Sequence, residues 1–300
     1  MLNRLGKYIE VFKKAFRRLT LNDPLRMAGA TAFFTTFALP PILVILIQFL
    51  RLVLDPDFIR SQLFGSLTKT LGQASVDQIT GVLAGLKNMA QNWYVTAGGF
   101  IFLLFVSTTL FKVIKDSLNQ LWKVKTNRKK KILNKMRTRL QAILIIFIAG
   151  ILFALGIFAE GVQAYIGEYI SGISTILGFY FNQVVNFILS LLVITIWFSM
   201  VFRYLPDARP EWRVALAGGF VTALLFSLGK FLLRRMLNLS NIDSLYGTSA
   251  SIVLLLLFVF YSSLILYFGG CFTKEWSKYI NRPIQPLPHA SNYKLVEAEA

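Results

Sequence analysis

The chain has 300 residues, of which 55% are hydrophobic and 15% charged, and its formal net charge is +18. A mean hydropathy of +0.60 excludes an ordinary soluble globular protein. One cysteine and one histidine also exclude a disulfide framework and zinc, haem or iron–sulfur sites, so we expect no metal and no cofactor.

In chain order, the first element is an amphipathic segment over residues 1–26. An apolar stripe at helical spacing predicts a helix that lies in the plane of the membrane interface. The stripe consists of Leu5, Tyr8, Phe12, Phe16 and Leu19. No cleavage site for a signal peptidase follows, so we expect the first apolar run to remain in the mature protein.

Six apolar segments are each long enough to cross a bilayer as a helix. They lie near residues 27–50, 94–114, 140–163, 179–203, 214–237 and 249–272. The sequence therefore predicts an all-α polytopic fold, in which a six-helix membrane domain covers residues 27–272.

The first span carries Pro40 and Pro41 in its interior, with Thr36 one turn earlier. A proline inside a helix removes a backbone donor and frees the carbonyl four residues before it. We therefore expect the helix to kink or unwind here, which would provide free carbonyls and a hinge.

Two amphipathic helices are predicted in the external connection 51–93. Their apolar positions are Ile59, Leu63, Leu67 and Leu71 in one run, and Val76, Ile79, Val82 or Leu83, Leu86 and Met89 in the other. We interpret them as a lid that packs on the bundle, with a gate as the alternative.

The distribution of Lys and Arg residues predicts how the spans are oriented in the membrane. Of 32 Lys and Arg, 25 fall on one side of the predicted spans, and eleven of these lie in the connection 112–139. The positive-inside rule makes that side cytoplasmic, together with both termini. Attraction to anionic headgroups accounts for the charge, so we expect no specific nucleic acid partner.

The run 128–131 is interpreted as a juxtamembrane anchor, with regulatory docking as the alternative. The tail, residues 273–300, is predicted to be disordered after Pro283, where proline and polar residues prevail.

Polar groups inside spans are costly, and they mark either packing contacts or a transport pathway. The candidates for substrate binding or translocation are Thr36, Pro40, Pro41, Glu160, Asn182, Asn186, Lys230, Arg234 and Tyr246. Taken singly, Asn186 reads as a contact between helices, Glu160 as an interfacial charge and Lys230 as a side chain that reaches the headgroups. Taken together, Glu160, Asn186, Lys230 and the proline pair predict a polar cavity in the outer half of the bundle.

The sequence contains no recognisable set of catalytic residues. Hydrolysis of RNA needs metal ligands or a general acid–base pair. Asp207 and Glu211 stand in a short cytoplasmic connection and read as loop or cap charges. We therefore expect no catalytic activity.

Several short motifs resemble the YihY/BrkB family of bacterial inner-membrane proteins, some members of which were labelled ribonuclease BN. The motifs are Asp23, Ala28, Ala30, Phe33 and Leu39-Pro40-Pro41; Leu121-Trp122; Arg203-Tyr204-Leu205-Pro206 and Trp212; Gly218 and Lys230; and Tyr246-Gly247. The family commonly has Gly-Ala-Glu near the end of the last helix, where this chain has Gly269-Gly270-Cys271. The resemblance implies six membrane helices and a function ranging from export of envelope components to resistance against host killing.

The sequence thus favours an inner-membrane transporter or exporter of a lipid-like or amphipathic envelope substrate, and makes a ribonuclease role unlikely. The alternative is a scaffold or envelope assembly factor that transports nothing. Expected partners are membrane lipids, with anionic headgroups at the cytoplasmic face; the sequence identifies no protein partner and leaves a homo-oligomer open.

Overall fold

The computed structural model describes residues 2–52, 55–71, 73–89, 93–126, 131–239 and 250–293. Within these residues the chain forms nine α-helices and four short strands. The helices are α1 (Leu2–Thr20), α2 (Pro24–Leu50), α3 (Pro56–Leu71), α4 (Gln73–Met89), α5 (Trp93–Trp122), α6 (Lys131–Ile173), α7 (Thr175–Tyr204), α8 (Trp212–Leu239) and α9 (Ala250–Tyr279). The strands are β1 (Val124–Thr126), β2 (Ala208–Arg209), β3 (Gln285–Pro286) and β4 (Ala290–Asn292).

Five helical segments of the described chain are long and apolar enough to cross a membrane. They are Pro24–Leu50, Arg139–Gly172, Gly178–Tyr204, Trp212–Leu232 and Ile252–Tyr279. The predicted helical polytopic fold is therefore confirmed. The other predicted span, 94–114, lies within α5, which is not among the five, so a total of six stays a prediction.

The helix α2 is continuous from Pro24 to Leu50 and runs through both buried prolines. The expectation that it unwinds there is wrong, because the fixed φ of proline is itself compatible with a helix. The alternative, a kink caused by the clash of each proline ring with the carbonyl four residues earlier, stays a prediction. The hydroxyls of Thr35 and Thr36 donate to the carbonyls of Thr31 and Ala32, one turn before the carbonyls that the prolines free.

The predicted helix at the N-terminus is present and packs on the end of α9. Its Val11, Ala15 and Leu19 are buried, while Phe16 remains exposed. Phe12 contacts Phe272 with ring centroids 4.9 Å apart. Of the described side chains in the predicted stripe, only Leu19 is buried, whereas Tyr8, Phe12 and Phe16 are exposed.

The connection 51–93 contains two helices, α3 and α4, as predicted. Ile59 and Leu63 of α3 and Ile79 of α4 are buried in one apolar cluster with Leu43 of α2 and Val259 of α9. The two helices therefore pack on the bundle.

The tail forms regular structure where disorder was predicted. Strand β4 pairs with β1 and strand β3 pairs with β2, both antiparallel, and Ile284 is buried. The prediction of disorder is therefore wrong up to residue 293, because the tail pairs with β1 and β2, which lie in connections that are distant in sequence. The remaining tail residues lie outside the described part of the chain.

Candidate functional site

A cavity of about 440 Å³ lies between α2, α3, α6, α8 and α9. Its lining is mainly apolar, with three hydroxyl-bearing residues. The lining residues are Thr35, Leu39, Leu63, Ser66, Leu67, Phe153, Phe226, Leu255, Phe258, Val259 and Ser262. The volume falls within the range of about 300–1,000 Å³ that is typical of ligand sites.

A lysine lies close to the wall of this cavity. Lys230 of α8 is half-buried, and its Nζ stands 5.6 Å from the ring centroid of Phe226, which lines the cavity. The face of an aromatic ring attracts a cation at this distance. The site therefore combines an apolar volume with a positive charge near it.

Helix contacts bring several predicted residues to one level of the bundle. In the antiparallel pair α6–α7, Gln163 Nε2 donates to the Asn182 carbonyl at 3.0 Å, so Glu160 lies at the level of Asn186, about one turn farther on. In the antiparallel pair α7–α8, Gly219 lies against Ser199, which sets Lys230 at that level too.

The proline pair lies at the level of the cavity through α9. The Thr31 hydroxyl of α2 contacts the Tyr267 hydroxyl of α9, so equal steps along these two antiparallel helices set Pro40 beside Phe258, which lines the cavity. Leu39, the residue before the pair, lines the cavity. The prolines therefore border the cavity in sequence and in depth.

The predicted site residues differ in their surroundings. Asn182 is half-buried against α6, whereas Asn186 is exposed on α7, and Thr36 is half-buried with its hydroxyl bonded within α2. The side chains of Glu160 and Arg234, and the whole of Tyr246, lie outside the described residues. The contact of Glu160 with Lys230 therefore stays a prediction.

The cavity also differs from its predicted character. We expected a polar cavity, and the one described here is walled mostly by aliphatic and aromatic side chains. Asn186, at the same level, is exposed on α7 and does not line the cavity. Such a wall suits a hydrocarbon chain better than an ion or a sugar.

A second group of polar residues, where the tail meets α5 and the connection between α7 and α8, was missed by the sequence interpretation. Asp207 is fully buried, and its carboxylate accepts bonds from Lys115 at 2.8 Å and His289 at 2.9 Å. Asn119 and Thr126 donate to its other oxygen at 3.0 and 2.8 Å. Asp207 is thus a structural anchor rather than a loop charge.

Asp207 is held in its ionised form by its neighbours, and its backbone binds the C-terminal tail. Burial raises the pKa of the Asp207 carboxyl, but hydrogen bonds from Lys115 and His289 outweigh burial and hold that pKa below its usual range. The Asp207 carbonyl accepts a bond from the amide of Leu287 at 2.9 Å. The cluster therefore fastens the tail to α5 and to the connection between α7 and α8.

The variant motif near the end of the last helix also has a structural explanation. Cys271 is buried. The acidic residue Glu275 lies one turn later and accepts a hydrogen bond from Arg18 Nε at 2.6 Å. Gly270 offers its carbonyl to Trp122 Nε1 at 2.8 Å. These contacts join α1, α5 and α9 near the C-terminal end of α9.

Comparison with known proteins gives consistent results. A family model described as "Virulence factor BrkB" matches residues 15–294. A UPF0761 membrane protein of Psychromonas ingrahamii is 24% identical over 263 residues, which cover 85% of this chain and 83% of that protein.

Other relatives are longer than this chain. A UPF0761 membrane protein of Janthinobacterium sp. is 26% identical over 265 residues, or 88% of this chain and 58% of that protein. The corresponding protein of Pseudomonas aeruginosa PAO1 is 25% identical over 269 residues, or 87% and 61%. No solved structure matches the chain significantly. Since the family model spans nearly all of the sequence, the chain belongs to the BrkB family of membrane proteins.

Proposed function

We propose that this protein binds a lipid-like anionic amphiphile in the apolar cavity and moves it within or across a bacterial inner membrane. The observation that carries the proposal is the apolar cavity of about 440 Å³ with Lys230 beside its wall. Hydrocarbon is favoured in such a volume because it leaves water, and an ammonium group inside a span attracts an anionic headgroup.

The proline pair supports movement as well as binding. Pro40 and Pro41 remove two hydrogen bonds from α2 at the level of the cavity, so α2 is weakest there. A small hinge at this level would widen the space beside Leu39 and Thr35. The proposal involves no catalytic step.

A scaffold that transports nothing is the alternative, in which the cavity is filled permanently by bilayer lipid. The proline pair would then be a packing feature, and the basic cytoplasmic connection would dock partners or anionic lipid. Measured flux separates the two functions.

We predict that filling the cavity stops transport. Ser262→Trp adds an indole to the cavity wall, and we expect the flux of a fluorescent phosphatidylglycerol in proteoliposomes to fall at least tenfold. The matched control is Leu257→Trp, because Leu257 is an exposed residue of the same helix. Equal flux in the two variants would remove the cavity from the pathway, and flux no faster than in protein-free vesicles would favour the scaffold.

The proposal includes an orientation with both termini in the cytoplasm, which labelling can test. Lys125→Cys lies in β1 beside the basic run, and Arg60→Cys lies in α3; both positions are exposed, while the native Cys271 is buried. In spheroplasts, an impermeant maleimide should label position 60 and should reach position 125 only after permeabilisation. Labelling of position 125 in intact spheroplasts would invert the orientation.

A further inference from the structure

Three polar residues follow the exposed side of the outer half of α7. Gln183, Asn186 and Ser190 stand at spacings of three and four residues, which place them on one face of a helix. All three are exposed. Asn182, one turn before Asn186, is instead half-buried against α6, so the polar face is distinct from the contact between α6 and α7.

The depth of this face in the membrane follows from the length of the helix. Asn186 lies 17 residues from Arg203, which is near the cytoplasmic end of α7, so the two are about 26 Å apart along the axis. The hydrocarbon core is about 30 Å thick. Tyr180 and Tyr165 are exposed beyond Asn186, where aromatic side chains meet headgroups. The carboxamide of Asn186 therefore faces the level of the acyl chains.

Acyl chains cannot form hydrogen bonds with the side chains of Asn186 and Ser190, so another polar surface has to cover them. A carboxamide has both donors and an acceptor. Two copies of the same stripe, related by a two-fold axis, can therefore satisfy each other. The spacing of the three residues is that of a seam between packed helices, and α7 contacts α6 and α8 through other residues, such as Asn182 and Ser199.

We propose that a second copy of this chain packs on the polar face of α7, which is formed by Gln183, Asn186 and Ser190. The two α7 helices cross near a two-fold axis, and each Asn186 bonds to its counterpart. The exposed apolar side chains beside the seam, such as Phe179 and Phe187, surround these bonds in the contact. This inference does not depend on the proposed transport function.

Disulfide crosslinking in native membranes tests the contact. Asn186→Cys should form a covalent dimer on oxidation with copper phenanthroline, because the two positions meet at the axis. Ile188→Cys is the matched control, since Ile188 is exposed at nearly the same depth on the opposite side of α7. It should remain monomeric.

Each other outcome overturns the proposal. Equal crosslinking at positions 186 and 188 would indicate random collision. A monomer whose position 186 reacts with an impermeant maleimide would show that this face lines water, and an unreactive monomer would show that it faces lipid. In detergent, Asn186→Leu should raise the dissociation constant of the dimer about 3- to 20-fold, the range expected from membrane hydrogen bonds. An unchanged constant would remove Asn186 from the interface.

Discussion

Replacing Asp207 by alanine is expected to destabilise the protein by about 3–5 kcal/mol, the cost of removing one member of a buried ion pair. Lys115, whose side chain is 6% exposed, would lose its bond of 2.8 Å to the carboxylate. Asn119, Thr126 and His289 would lose an acceptor as well. Thermal unfolding of the purified protein, followed by size-exclusion chromatography after heating, measures the loss.

The same connection contains a matched control. Glu211 forms an ion pair with Arg282, but its side chain is 54% exposed. An exposed pair contributes about 0–1 kcal/mol, so Glu211→Ala should leave the unfolding temperature nearly unchanged. If both variants unfold at the same temperature, the buried cluster is not the anchor that we infer.

Enlarging Gly269 is expected to disrupt the contact between α8 and α9. A Cβ at Gly269 would meet Thr222 Oγ1 at 1.8 Å, and a Cβ at Gly218 would meet Thr273 Oγ1 at 1.9 Å, so each helix places a threonine against a glycine of the other. Small residues allow this close approach between membrane helices. Overpacking costs about 1–3 kcal/mol, and we expect Gly269→Ala to lower the unfolding temperature accordingly.

Two variants give this prediction its controls. Gly156→Ala in α6 should have little effect, because a Cβ there meets nothing within 4 Å. Thr222→Ala should restore part of the stability of Gly269→Ala, since it removes the atom that collides. Absence of any recovery would show that the clash is not the cause.

The helices could be predicted from the sequence because apolar length and periodicity are local properties. The apolar spans, the helix over residues 5–19, and α3 and α4 follow from such patterns, as the burial of Ile59 and Ile79 illustrates. Docking of the tail could not be predicted this way. Its strands have two or three residues, too few to show a period, and they pair with connections far away in sequence.

The candidate site was predictable only in part. Polar side chains inside a membrane span cost free energy, which made Asn186 and Lys230 candidates. Contacts between the helices place these two residues at one level of the bundle. The cavity itself is formed by ordinary apolar residues such as Phe153 and Leu255, which no sequence pattern distinguishes from core. The role of Asp207 depends on α5, where its partner Asn119 stands 88 positions earlier in the chain.

A map of the protein in lipid nanodiscs by electron cryomicroscopy tests the central claim most directly. The account predicts elongated density for one acyl chain among Phe153, Phe226 and Leu255, with its polar end directed towards Lys230. The density should be absent in Ser262→Trp and present in Leu257→Trp. A wild-type cavity that is empty or closed by side chains, with lipid only on the outer surface of the bundle, would contradict the account.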